Sequence, residues 1–300
     1  MHKSKQINVP MNKILIPVDF EKQSLLAIEQ SFSLAQTILA EITLLYVHEP
    51  SGIFSSIFSD DQKSEFLIGI DERLAEIAGK ASASSGITVH YRIEKGKIYS
   101  KIIEVSNEIN AQFIVMGTNS SDQEKEQVKR IGANTSRVVR GAKCPVITVN
   151  GNHVYPGCRN ILLPMDLTKE SRQKVTMGIE IARYFGAGIK VVSAFLTKNE
   201  RAEVGRLYQQ GEQVTNFIAS AGIDCTFEII ELKDDEKTSV PSILNFAEKQ
   251  GDIDLIIILS EQEASLVYYF TGSQSQDFIR LSDIPVLSIQ PKDLGVGSTF

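Results

Sequence analysis

The chain has 300 residues, and a loose prior of roughly 150 residues per domain predicts about two domains. Lys and Arg number 31 against 37 Asp and Glu, a net charge of −6 that argues against a nucleic-acid partner, which would need a clustered basic surface. No apolar run approaches the roughly 20 residues that span a bilayer, and no signal peptide is recognisable. We therefore expect a cytoplasmic protein with no membrane partner.

Strands and helices alternate along the first half of the chain. In order, the predicted elements are a strand at 13–20, a helix at 26–38, strands at 41–49 and 86–96, a helix at 98–109, a strand at 113–117, a helix from 131 and a strand at 144–149. The run Phe113–Gly117 is almost continuously apolar, which is typical of a parallel strand that is buried on both faces.

The second half repeats this order. "KILIPVDF" (13–20) matches "NILLPMDL" (160–167), and the corresponding segments continue to a terminal "IPVLSI" (284–289). Gly, Asn and Pro interrupt the pattern around 150–160, where the two copies join. We predict an α/β fold of two tandem, doubly wound domains, each with a five-stranded parallel sheet. The predicted domains span residues 11–150 and 159–292.

One segment does not fit the alternation. Residues 49–67, "EPSGIFSSIFSDDQKSEFL", are apolar and serine-rich, without a clear period until about Asp61. Two interpretations are open. The segment is either a loop that packs its Ile and Phe side chains onto the domain, or a lid or partner surface.

Four motifs stand in a fixed order: "ILIPVDF", "LLYVHE", "FIVMGT" and "GANTSRVVRGAKCPVITV". Together they resemble the universal stress protein family, and the likeness extends over nearly the whole chain, once per half. The resemblance implies an adenine-nucleotide alpha-hydrolase-like fold and a regulatory role in the stress response. It also implies that the halves pair through their last strands, Val146–Val149 and Val286–Ile289, and it leaves a homodimer of whole chains open.

Members of this family that bind ATP carry the pattern G-x2-G-x9-G-[ST], in which glycines and a helix N-terminus hold the phosphates. Glycine lets the backbone approach a phosphate, and the helix start supplies N–H donors and partial positive charge. The resemblance implies ATP as the ligand, with Mg²⁺ accompanying it. The implied nucleotide site comprises Pro17, Val18, Asp19, Val47, Met116, Gly117, Thr118, Ser120, Gly132, Ala133, Asn134 and Thr135.

Both halves depart from the pattern. In the first half Ser120 replaces the second glycine, Gly132 comes two residues late, and Ala133 stands where Ser or Thr is expected. In the second half Leu259 and Gln262 replace the first two glycines. We predict weak nucleotide binding in the first half and a degraded site in the second. The alternative is a stress protein that binds no nucleotide and acts through a protein partner or another small ligand.

Other chemistry-bearing residues do not assemble into a reactive site. Asp19 has two interpretations, a carboxylate at the positive end of a helix or a ribose or metal ligand. Cys144, Cys158 and Cys225 are widely spaced, so we expect reduced thiols and no Cys/His metal site. Nothing in the sequence supplies a nucleophile, a base and an electrophile together, so we predict that the protein is not an enzyme.

Overall fold

A computed structural model describes residues 11–50, 60–118, 131–165, 172–196, 201–232, 238–260 and 272–291. The strands along these residues are β1 (Asn12–Pro17), β2 (Ala40–His48), β3 (Val89–Lys95), β4 (Phe113–Gly117), β5 (Val146–Val149), β6 (Asn160–Pro164), β7 (Gly188–Leu196), β8 (Cys225–Leu232), β9 (Ile253–Leu259) and β10 (Val286–Ile289). The helices are α1 (Lys22–Thr37), α2 (Asp60–Ser85), α3 (Ile98–Glu108), α4 (Ala133–Gly141), α5 (Arg172–Phe185), α6 (Arg201–Ser220), α7 (Val240–Gln250) and α8 (Gly272–Leu281).

The strands form one sheet in the order β3-β2-β1-β4-β5-β10-β9-β6-β7-β8. Neighbours within each half are parallel, which confirms the predicted pair of doubly wound five-stranded units. The two units meet where β10 pairs with β5 in antiparallel register, Leu287 opposite Ile147. The last strands therefore pair as the family resemblance implied.

Helices cover both faces of this sheet. Side chains of α1, α2, α5 and α6 pack into a core on one face, and side chains of α3, α4, α7 and α8 pack into a core on the other. Ile14 and Ile16 of β1 join the first core and Leu15 joins the second, all three with no exposed surface. Each such side chain contributes about 1.5–3 kcal/mol by leaving water. The prediction that Phe113–Met116 is buried on both faces is confirmed.

Two helices, α2 and α6, were not separately predicted. The 26-residue α2 begins at Asp60, close to the point where a period becomes visible in the sequence. Phe66, Leu67 and Ile68 near its start are 42%, 38% and 59% exposed, whereas Leu74 is fully buried against the sheet. The start of α2 is therefore less buried than its middle, although the Phe66 ring lies 6.0 Å from the His48 ring at the end of β2. The interpretations of residues 51–59 lie outside the described residues.

The connection between the halves, residues 150–159, is bonded to both. The Tyr155 backbone N–H donates to Gln30 Oε1 on α1 (2.8 Å), and Gln30 Nε2 donates to the Tyr155 carbonyl (3.0 Å). Arg159 reaches the second half, where its Nη2 lies 2.8 Å from Oδ1 of the buried Asp254. These bonds fix the linker against the sheet.

Gly151 lies where the two halves touch. A Cβ on this residue would stand 2.4 Å from the Asp283 carbonyl oxygen, which belongs to the turn before β10. No side chain fits there without separating the two backbones.

We expect Gly151→Ala to lower the free energy of unfolding by about 1–3 kcal/mol, because overpacking at a rigid contact forces backbone shifts. Urea denaturation would measure the change. Gly205→Ala on α6 is the matched control, since nothing lies within 4 Å of its added Cβ. An equal response of the two variants would contradict the tight contact at Gly151.

Candidate functional site

The carboxyl ends of β1 and β4 lie side by side in the first half. The chain leaves β1 toward β2 on one side, and β4 toward β5 on the other. Such a switch point opens a crevice in which open α/β sheets bind ligands. We name this the first crevice, and define it by residues 17–19, Val47, residues 116–118 and residues 132–135.

The start of α4 is fastened to the end of β4. The Gly132 backbone N–H donates to the Thr118 carbonyl (2.8 Å), and Thr135 Oγ1 donates to the Gly117 carbonyl (3.2 Å). Gly132 is the N-cap residue, and no side chain of the described residues caps this helix. A helix start without a side-chain cap suits an anion, and the binding of a phosphate here stays a prediction.

Burial divides the predicted site residues into two groups. Val18, Met116, Thr118 and Thr135 are at most 5% exposed, so their side chains serve the core and internal hydrogen bonds. The residues with accessible surface are Pro17, Asp19, Val47, Gly117, Gly132, Ala133 and Asn134. Ser120 lies outside the described residues. The fold brings the described members to one edge of the sheet, and their role in binding a nucleotide stays a prediction.

Asp19 supports the start of α1. Its Oδ1 accepts a hydrogen bond from the Glu21 backbone N–H (3.0 Å), and its own N–H donates to Ser24 Oγ (3.3 Å). A short carboxylate side chain is well suited to such local bonds at a helix entry. Asp19 therefore makes local bonds at the entry to α1, and its role as a ribose or metal ligand stays a prediction. The side chain is also exposed at the first crevice.

An aromatic wall stands next to Asp19. The Phe20 and Tyr46 rings stack with centroids 5.3 Å apart, and the Arg73 guanidinium lies 4.8 Å from the Phe20 centroid. Burial, and then the Asp19 charge, raise the pKa of Tyr46. Phe20 has φ of 68°, a costly conformation for a bulky residue. The sequence carried no signal of this wall, because its members come from three separate elements.

Gly117 has a packing role in the fold. A Cβ on Gly117 would stand 2.7 Å from Gln23 Cβ and 2.8 Å from the Gln23 carbonyl carbon on α1. The glycine therefore lets the first turn of α1 approach β4. The sequence carried no signal of this contact, and the predicted role of Gly117 in ligand binding stays a prediction.

At the corresponding strand ends of the second half, two larger side chains are buried. Gly117 pairs with Val149 in β5, and Leu259 holds the same register position opposite Ile289 in β10. Leu259 is 3% exposed. Lys174 of α5 is equally buried, and its Nζ donates to the Pro164 carbonyl at the end of β6. Asp166 and Gln262 lie outside the described residues.

A separate concavity lies between α1 and α5, where the two halves meet. Its wall is mainly apolar and includes Leu34, Phe185 and Leu287, with Cys158 and Asp254 at one side. Burial, with the charge of Asp254, raises the pKa of Cys158 to about 12. Asp254 is engaged with Arg159. This concavity therefore presents no reactive group, and it lies apart from the first crevice.

The chain belongs to the universal stress protein family, whose model matches residues 11–150 and 157–290. A universal stress protein of Methanocaldococcus jannaschii is 29% identical over 141 residues, 46% of this chain and 81% of that protein. The fold resembles that of a universal stress protein from Archaeoglobus fulgidus, with a TM-score of 0.71 and 20% identity over 94% of this chain and 97% of the other. A functionally unknown protein from Pseudomonas aeruginosa gives a TM-score of 0.63 at 18% identity, over 94% of each chain.

Within the described ranges, no helix is both long and apolar enough to cross a bilayer. Nor do the described residues contain a group of three or more His, Cys, Asp or Glu side chains placed to hold a metal ion.

We expect Gly117→Ala to destabilise the protein by about 1–3 kcal/mol, because the added methyl group meets the backbone of α1. The midpoint of urea denaturation measures this. Gly79→Ala on α2 is the control, since its added Cβ meets nothing within 4 Å. We expect that control to be neutral or slightly stabilising. A neutral Gly117→Ala variant would show that α1 moves away without cost.

The three thiols should react slowly in the native protein. Burial raises the pKa of Cys144 and of Cys225 to about 11, and that of Cys158 to about 12. At pH 8 a rise of two units lowers the thiolate fraction about 100-fold, and the thiolate is the reactive form. Labelling with a disulfide reagent, before and after denaturation, measures the difference. Rapid labelling of one native thiol would contradict its burial.

Proposed function

We propose that this protein is a regulatory binding module of the stress response whose first crevice binds an adenine nucleotide, ATP with Mg²⁺, weakly. The observation that carries the proposal is the start of α4, which lies beside the ends of β1 and β4. Gly132 is its N-cap residue, and no side chain of the described residues caps it. Such N–H donors and the helix dipole stabilise the negative charge of phosphate groups. The second half is proposed to bind no nucleotide, because Leu259 is buried at the position that corresponds to Gly117.

The remaining contacts in the proposal follow the resemblance to family members that bind ATP. Asp19 presents an exposed carboxylate that accepts hydrogen bonds, which suits ribose hydroxyls. The backbone at Val47, at the end of β2, would hold the adenine. Mg²⁺ would be bound through the phosphates, as is usual for this ion.

A second candidate function, interaction with a protein partner, is favoured by α2. Phe66, Leu67 and Ile68 are consecutive apolar residues near the start of this helix, and their side chains remain 38–59% exposed. Consecutive exposed apolar side chains are unusual away from binding surfaces. This candidate gains weight if the first crevice binds no nucleotide.

The test is titration of purified protein with Mg-ATP by calorimetry, using Ala133→Glu as the key variant. Ala133 is exposed in the first turn of α4, where a carboxylate favours the helix but repels a phosphate. We expect Ala133→Glu to weaken Mg-ATP affinity by about tenfold or more, a loss of about 1.4 kcal/mol, while the melting temperature holds or rises. Ser273→Glu, in the first turn of α8, is the matched control and should leave the affinity unchanged.

The absorbance spectrum gives an independent check, because the chain has no Trp and only 8 Tyr. Adenine carried through purification would therefore be visible and could be identified after denaturation. Absence of heat on titration together with a spectrum free of adenine would refute the nucleotide proposal. Equal weakening by both Glu variants would refute its assignment to the first crevice.

A further inference from the structure

Two amide side chains cross the junction between the halves in mirrored positions. Asn150 follows β5, and its Nδ2 donates to the carbonyls of Arg280 (2.8 Å) and Ser282 (3.2 Å) at the end of α8. Gln290 follows β10, and its Nε2 donates to the Arg140 carbonyl near the end of α4. The last carbonyls of a helix have no partner within the helix. Each amide therefore caps the final helix of the other half.

The two amides differ on the crevice side. Thr118 follows β4 and Ser260 follows β9, and their backbone N–H groups make matching bonds to Val149 and Ile289. Thr118 Oγ1 donates to Asn150 Oδ1 (2.8 Å). Ser260 Oγ is buried and makes no hydrogen bond within the described part of the chain. The end of β4 is thus linked to the opposite half through a side-chain amide, and the end of β9 has no such link.

Asn150 also holds the other wall of the first crevice. Its backbone carbonyl accepts a hydrogen bond from Gln23 Nε2 on the first turn of α1 (3.1 Å). Gln23 is the residue that packs against Gly117. Because Asn150 is 9% exposed, breaking its bonds would leave polar atoms shielded from water, which costs more than a surface bond.

We propose that Asn150 is a positioning residue that makes the geometry of the first crevice depend on the second half. The carbonyls of α8 orient the Asn150 amide, the amide fixes Thr118, and the Thr118 carbonyl accepts the Gly132 N–H at the start of α4. The second half, which carries the buried Leu259 at the position of Gly117, thereby serves as a support for the first. The effect on ligand affinity rests on the proposed nucleotide function; the effect on crevice order does not.

The experiment compares Asn150→Ala with Thr148→Val in the full chain. Thr148 is also buried at the junction, and its Oγ1 donates to the Val286 carbonyl across it (3.2 Å). Thr148 pairs with Met116 through the backbone of β5 and β4, and the substitution by Val leaves that backbone unchanged. Hydrogen–deuterium exchange of the ligand-free protein reports on residues 113–118 and 131–141. We expect Asn150→Ala to speed exchange there about tenfold and to weaken Mg-ATP binding about tenfold, the size expected for a lost buried bond. Thr148→Val should change neither by more than about twofold.

Thr118 supplies a second pair of variants that keeps the test decisive if Asn150→Ala does not fold. Thr118→Val removes the hydroxyl at nearly constant volume, whereas Thr118→Ser keeps it. We expect the valine variant to show the same faster exchange at the crevice as Asn150→Ala, and the serine variant to exchange at the wild-type rate.

The outcomes separate the two proposals. Equal changes at the crevice from Asn150→Ala and Thr148→Val, or no change from Asn150→Ala and Thr118→Val, would overturn the coupling. Exchange at the crevice that is faster in Asn150→Ala and Thr118→Val but not in Thr148→Val would support the coupling. If the wild-type protein then binds no Mg-ATP, the coupling stands and the nucleotide function is refuted.

Discussion

The pairing of β5 with β10 is the constraint on which the rest of the structure depends. Each strand has four residues and would otherwise be the edge of a five-stranded sheet. Unpaired edges present N–H and C=O groups that recruit other strands. Among the strands that the structure describes, this pairing leaves β3 and β8 as the edges of the sheet. Because the two strands run in opposite directions, the backbone of each half leaves its last strand beside the final helix of the other half. The amide caps at Asn150 and Gln290 follow from that geometry.

The two halves show how one fold accommodates different strand ends. Gly117 and Leu259 occupy the same register position, and both serve the packing of the helix above the sheet. In the first half the glycine brings α1 close. In the second half Leu259 and Lys174 take up buried positions near the equivalent edge. The strand order is identical in both, so the sheet does not require either arrangement.

Sequence patterns predicted the strands, their order along the chain and the duplicated fold, because apolar runs such as Phe113–Met116 reflect burial directly. They did not separate α2, because Phe66, Leu67 and Ile68 near its start stay partly exposed and form no amphipathic pattern. The site was predicted only as a set of strand ends and a helix start. Asn150 was missed because its partners Thr118 and Arg280 are 32 and 130 residues away in the chain. The packing role of Gly117 was missed because a sequence cannot show the approach of α1.

Covalent linkage of the two halves has a consequence for the way in which occupancy of the proposed site follows ligand concentration. In a symmetric homodimer every substitution appears twice, so a change that fills one crevice fills both. A tandem chain is free of that obligation, and here Leu259 stands in one half while Gly117 stands in the other. If only the first crevice binds a ligand, as proposed, each chain takes up one ligand molecule and its saturation curve is hyperbolic, because the chain has no second site to generate cooperativity. Such a protein would report ligand concentration gradually, in proportion to occupancy, rather than as a threshold.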